Sequence, residues 1–249
     1  MAPPSNIDTP TVVLVHGAFA DASSWNDVIR RLQNKGVPVT APANPLRGIT
    51  ADAAYIAAVL AQIEGPVLAV GHSYGGAVIT NAAANAKNVL GLVYVAAFAP
   101  DEGEALGVVE DGSKDSVLNS ALVPRTYPNG SGGSATEFYI DPAKARDAFA
   151  GDLSDEQAAL IAATQRPVSD LAFSEPNGPP AWRHLPSWAV VATGDKAAGT
   201  DVTRSMAERA GAKITEVAGS HVIMISQPEA VTNVILEAVA AVTAVPVGA

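Results

Sequence analysis

Six short runs rich in β-branched residues, at 12–16, 37–41, 67–70, 89–96, 188–193 and 213–217, recur along the chain with longer alanine-rich stretches between them. Most are apolar at successive positions rather than at alternate ones. A strand of that kind is covered on both faces, which a sheet achieves by carrying helices on each side. Helical periodicity over 24–34, 50–64, 74–87, 201–210 and 228–242 supplies those helices. The alternation predicts an α/β fold: a mostly parallel, doubly wound sheet of about six strands. One such domain accounts for all 249 residues.

The rhythm breaks after Ala97 and resumes near Ser187. Between them lie a Gly/Ser-rich tip, Asn129-Gly-Ser-Gly-Gly-Ser134, a proline-rich run over 176–186 and two helix candidates. The second helix opens on Ser154-Asp-Glu-Gln157, the pattern of a capping box. So long an insertion after the fourth strand is expected to form a helical cap over a site, residues 98–186.

The third run ends in Gly71-His-Ser-Tyr-Gly75, with a buried strand before it and a helix after it. A G-x-S-x-G in that context reads as a nucleophile elbow. The serine takes a strained turn, and the small residues two before and two after let strand and helix approach, so that the hydroxyl stands free. Ser73 is therefore the candidate nucleophile, and the helix N-terminus beneath it favours developing negative charge. A glycine-rich turn that only packs is the competing reading.

A serine hydroxyl needs a base, and the chain has four histidines. In this fold the order along the chain is nucleophile, acid, histidine, which leaves His184 and His221. His221 follows the last strand and precedes the final helix, where the base belongs; His184 precedes a strand. His72 adjoins Ser73, but neighbours at such a turn point apart. The carboxylate that orients the base is expected at Asp195, just past the fifth strand, with Asp101 past the fourth as the alternative. Asp170 and Asp201 read as surface or capping carboxylates. Oxyanion donors are expected from the backbone of Tyr74 and of Ala18 or Phe19, where Gly17 lets the chain come close. Gly17, Trp25, Phe98, Tyr127, Phe138, Trp182 and Val222 are candidates to line an apolar substrate pocket.

Other chemistries find less support. The chain has no cysteine, which removes disulfides, thiolate nucleophiles and Cys-ligated zinc. H-E-x-x-H and G-x-x-x-x-G-K-[ST] are missing as well. A net charge of −10 with scattered Lys and Arg argues against nucleic acid and anionic membrane as partners. The first residues lack the basic and apolar regions of an export signal, and no apolar run is long enough to span a bilayer. A cytoplasmic protein is expected, monomer or homodimer, with a small-molecule ester as its partner and no cofactor. Asn129-Gly-Ser131 then reads as a chance glycosylation sequon.

Together these residues resemble the α/β-hydrolase superfamily, and more closely its group of plant methylesterases, hydroxynitrile lyases and bacterial esterase-like relatives. The resemblance runs nearly end to end. Val12-Val-Leu-Val-His-Gly-Ala18 is similar to the group's first motif and Gly71-His-Ser-Tyr-Gly-Gly76 to its elbow. Val95-Ala-Ala-Phe-Ala-Pro-Asp101 resembles its entry to the cap; Thr193-Gly-Asp-Lys196 and Gly219-Ser-His221 resemble its acid and base loops. By this likeness the acid is Asp195 rather than Asp101. Hydroxynitrile lyases of the group carry threonine at the position of Gly17 and lysine at that of Val222, so the resemblance implies ester hydrolysis through an acyl-enzyme. A lyase, or a ligand-binding receptor on the same fold, is the alternative. Two segments depart from the pattern. Lys196 is followed by Ala-Ala-Gly-Thr200 where the group has Ile-Pro, and the loop after Gly17 differs from the plant form.

Overall fold

A computed structural model describes residues 9–130 and 132–244. The N-terminal segment read for an export signal, and Ser131 of the sequon, lie outside the described residues. The chain runs β1 (Thr11–Val15), α1 (Asn26–Asn34), β2 (Val39–Thr40), α2 (Ile49–Ala61), β3 (Val67–His72), α3 (Tyr74–Ala82) and β4 (Val89–Val95). An insertion follows: α4 (Leu106–Asp111), β5 (Leu122–Pro128), β6 (Ser134–Ile140), α5 (Ala145–Phe149), α6 (Asp155–Thr164), β7 (Val168–Ser169) and α7 (Leu171–Ser174). The main fold then resumes with β8 (Ser187–Ala192), α8 (Thr200–Arg209), β9 (Lys213–Val217), α9 (Ile223–Ser226) and α10 (Pro228–Thr243).

The main sheet has the order β2-β1-β3-β4-β8-β9, and every pairing in it is parallel. β3 and β8 are buried at every position, as their unbroken apolar character requires. From β1 the chain turns to one side for β2 and to the other for β3. The crevice at the carboxyl ends of β1 and β3 is thus the switch point where open α/β sheets place their ligands. Gly17, Ala18 and Phe19 follow one of these strands and Ser73 the other.

The insertion differs from the helical cap expected. It has its helices, and α6 starts with the expected capping box of Ser154 and Gln157. It also carries a three-stranded antiparallel sheet, β5-β6-β7. β5 and β6 pair antiparallel on either side of the Gly/Ser-rich stretch, and beyond the last strand pair Asn129 N–H donates to Gly133 O at 3.1 Å. Pro124 and Pro128 hide β5 from a strand reading. They are tolerated because β5 lies at the sheet's edge. Among the described residues no helix is long and apolar enough to cross a membrane.

Candidate active site

Ser73 sits between β3 and α3 with φ 53° and ψ −125°, a left-handed conformation that costs a non-glycine residue about 1–3 kcal/mol. The glycines around it explain how the turn is built. A Cβ on Gly71 would lie 2.5 Å from Gly75 O, and one on Gly75 would lie 2.4 Å from Val15 O. On Gly76 it would lie 2.4 Å from Phe98 O. Strand, turn and helix approach more closely than any side chain allows. Tyr74 is the first residue of α3, so its N–H belongs to the turn that has no acceptor within the helix.

The loop after β1 comes against the elbow from the other side. A Cβ at Gly17 would stand 2.6 Å from Ser73 Cβ. Phe19 takes φ 60° and is buried. His16 fixes this loop: its Nε2 accepts from Asn44 N–H at 2.9 Å, so Nδ1 carries the proton and donates to Gly17 O at 2.9 Å. Burial holds the His16 pKa below its ordinary value, in keeping with a neutral ring.

His221 and Asp195 meet in the loops after β9 and β8. Nδ1 of His221 donates to Asp195 Oδ2 at 2.8 Å, with both side chains buried. This fixes the tautomer and leaves Nε2 as the acceptor. The other carboxylate oxygen of Asp195 accepts from Ala197 N–H at 2.9 Å and Ala198 N–H at 3.1 Å. The departure from Ile-Pro has a consequence here, since a proline at either alanine would remove one of these donors.

His72 is fully buried and donates from Nε2 to His221 O at 2.9 Å, tying the elbow to the loop after β9. Its pKa is well below the ordinary value, through burial first and then the neighbouring His221. Ring contacts continue the assembly. His221 lies 4.7 Å from His72 and 5.0 Å from Phe149, and Phe149 packs edge-on against Phe19 at 6.1 Å.

The alternatives fall elsewhere. Asp101 pairs with Arg183 at 2.6 Å, and His184 is exposed before β8. Asp201 accepts from Ser113 Oγ and Lys114 N–H, and Asp170 from Ser169 Oγ. Of the candidate pocket residues, Val222 lines a cavity of about 280 Å³ together with Phe19, Phe149, Leu153, Leu160 and Ile161. Phe98 is buried beside the elbow, with its N–H on Ser73 O at 3.2 Å. Trp25 is buried edge-on to His72, at 6.3 Å. Tyr127 and Phe138 lie in the insertion's sheet, under Arg47 and against Phe173 respectively. Trp182 donates to Pro100 O at 3.1 Å. Phe149, which borders both His221 and Phe19, was not singled out from the sequence; Ala145-Arg-Asp-Ala-Phe149 offers no signal beyond a buried aromatic.

Comparison with known proteins bears on the same frame. The chain is 36% identical over 129 residues to a carbendazim-hydrolysing esterase of Nocardioides sp., a match covering 47% of this chain and 48% of that protein. It is 30% identical over 192 residues to lipase LipV of Mycobacterium tuberculosis, covering 69% of this chain and 61% of the lipase. The matches thus span about half and about three fifths of these curated relatives. Among solved structures, polyneuridine aldehyde esterase superposes with a TM-score of 0.77 at 23% identity, over 92% of this chain and 99% of the other. A pyrethroid hydrolase from Sphingobium faniae superposes at 0.75 with 21% identity, over 93% and 98%. These two likenesses speak to the fold. The sequence pattern of the alpha/beta hydrolase family matches residues 12–234, nearly the whole chain, and the chain belongs to that family.

Proposed function

We propose that this chain is a serine hydrolase that cleaves small to medium, apolar carboxylic esters with Ser73, His221 and Asp195 as its catalytic triad. The buried hydrogen bond from His221 Nδ1 to Asp195 Oδ2 carries the reading. An orientation of that kind serves an imidazole that must accept a proton at its other nitrogen. Ser73 Oγ attacks the ester carbonyl while His221 Nε2 takes its proton. The tetrahedral oxyanion is held by the N–H groups of Tyr74 and of Ala18 or Phe19. Collapse breaks the bond to the leaving oxygen, which receives the proton from His221 and departs as the alcohol. Water then attacks the acyl-enzyme with His221 again as base, and the acid leaves with Ser73 restored. The cycle consumes ester and water and needs no cofactor.

The cavity beside Phe19 and Val222 is the natural place for the substrate's apolar arm. A larger cavity of about 360 Å³ is bordered by Thr193, Gly194 and Lys196 around Asp195 and by Gly219 and Ser220 before His221, and it carries the charged side chains of Asp147, Asp152 and Lys196. The relatives named as esterase and lipase support ester hydrolysis. A cyanohydrin lyase is disfavoured. A threonine at Gly17 would collide with Ser73, and Val222 supplies no cation for a leaving anion.

Active-site titration with a fluorophosphonate, alongside turnover of a short p-nitrophenyl ester, tests the assignment. Stoichiometric labelling and multiple turnovers are expected for the wild type, and both are lost in Ser73→Ala. Labelling retained in Ser73→Ala would point to another nucleophile.

A further inference from the structure

Tyr74 is anchored at both ends. Its backbone begins α3, and its phenol donates to Asp52 Oδ2 at 2.8 Å in an interior where both residues are buried. Asp52 lies in the first turn of α2, an ordinary place for an acid. Its oxygens, however, turn back toward the chain before the helix. Arg47 N–H lies 3.1 and 3.0 Å from the two oxygens, and Gly48 N–H lies 3.4 Å from Oδ2. A buried carboxylate needs such donors, and charge-assisted bonds of this kind are among the stronger ones. Burial and the adjacent Asp52 raise the Tyr74 pKa, so the phenol keeps its proton and donates.

The segment gripped by Asp52 is also the one on which the insertion's sheet rests. Arg47 reaches Glu137 of β6 at 2.8 Å and covers the Tyr127 ring of β5 at 4.5 Å. Leu46 O accepts from Ser169 N–H of β7 at 2.9 Å. Leu46 and Gly48 have φ of 60° and 138°, so this bend is held rather than relaxed. At the other end, Ser73 O accepts from Gly76 N–H at 2.9 Å and Phe98 N–H at 3.2 Å. Because the peptide is planar, gripping that carbonyl aims the Tyr74 N–H the opposite way. Ser73 N–H is held on Val95 O at 3.3 Å, and the Tyr74 side chain adds an anchor on the far side of the peptide.

We infer that Asp52 is a positioning residue for the reaction. Its carboxylate holds the Tyr74 phenol, thereby sets the Ser73–Tyr74 peptide whose N–H receives the oxyanion, and ties that peptide to Arg47, where the insertion docks. Asp52 touches no substrate. Its charge alone would oppose an oxyanion nearby, so positioning and electrostatics predict opposite signs when it is neutralised. The role rests on the ester hydrolase reading.

The test is a double-mutant cycle of Tyr74→Phe and Asp52→Asn, with Tyr94→Phe as control. Tyr94 is a second buried tyrosine of the same core, its phenol bonded to Thr80 at 2.8 Å rather than to a carboxylate. Turnover of p-nitrophenyl butyrate and the melting temperature are measured for each. The expected result is a fall in kcat of about tenfold or more in Tyr74→Phe and in Asp52→Asn, with KM within about twofold, and a double variant no worse than either single one. Tyr94→Phe is expected to lose stability and keep its kcat. A Tyr74→Phe variant as active as Tyr94→Phe overturns the role, as do multiplicative losses or a kcat that rises in Asp52→Asn. If Asp52→Asn fails to fold, the comparison of Tyr74→Phe with Tyr94→Phe decides. A folded wild type with neither turnover nor fluorophosphonate labelling overturns the hydrolase reading and this role with it, whereas an active, labelled wild type confines any failure to Asp52.

Discussion

A single methyl group at Gly17 would stand 2.6 Å from Ser73 Cβ and 2.8 Å from His72 O, and both neighbours are pinned to the elbow. Gly17→Ala must therefore move either the loop after β1 or the serine. Overpacking of this kind costs about 1–3 kcal/mol, and loss of one oxyanion donor costs about 10²–10³ in kcat. The expected outcome is a folded protein with a modest loss of melting temperature and a kcat reduced by about two orders of magnitude. Unchanged turnover would show that the loop can shift without consequence for the proposed oxyanion donors. At this scale the sequence was informative where chemistry dictates local pattern. Ser73 is marked by its glycines, and His221 and Asp195 by their places after strands in a fixed chain order. Asp52 and Phe149 carry no such mark. In the sequence one is a helix-start acid and the other an aromatic among alanines, and their neighbours at the site, Tyr74 and His221, lie 22 and 72 residues away.

The loop of Asp195 is joined to the insertion through Ser116 and Val117, with a buried carboxyl behind them. Ser116 Oγ donates to Ala197 O at 2.6 Å, and Val117 N–H donates to Lys196 O at 2.8 Å. Behind them Glu110 of α4 is buried, 3.4 Å from Ser116 Oγ, and its pKa is pushed up to about 7 by burial, with Asp111 and Asp195 adding to the rise. The proton is held more tightly in the folded state than in the unfolded one. As pH rises past the ordinary value of 4.5, the unfolded chain ionises first. Stability drains away until about pH 7, and above that the full cost stands, roughly 3 kcal/mol. Glu110→Gln removes this term. Its stability relative to wild type should grow between pH 4.5 and 7 and stay level above. The depressed His16 and His72 act with the opposite sign, losing stability as pH falls, and cancel in the comparison. Parallel denaturant titrations at pH 5 and 8 measure it; a difference that does not change with pH would mean Glu110 is ionised throughout. Elements of the main sheet were legible because short unbroken apolar runs rich in β-branched residues alternate with longer stretches of helical period. The β5–β6 hairpin was not, since an edge strand with two prolines and a glycine-rich tip share their composition with loops.

The molecule as a whole is an acidic body, with a net charge of −10 over 249 residues. Its apolar cavity repeats that bias locally, for Asp21 is the one charged residue among the described residues bordering it. A field of one sign lowers the local concentration of like-charged solutes and slows their encounter, whereas neutral solutes are indifferent to it. The proposed esterase should therefore prefer neutral esters to isosteric ones bearing a carboxylate on the apolar arm. Two effects contribute, and ionic strength separates them. The Debye length falls from about 30 Å at 0.01 M salt to about 8 Å at 0.15 M, which screens the long-range field and leaves a charge at the cavity wall largely in force. The expected kcat/KM for the anionic ester lies at least about tenfold below that of its neutral isostere at low salt, and the gap narrows as salt is added. Asp21→Asn should reduce the part that survives in salt. Its carboxylate also caps the turn at Ala22–Trp25 through Ser23 N–H, a role asparagine preserves. Equal kcat/KM for the two esters at low salt would refute the charge selection and leave cavity shape to choose the substrate.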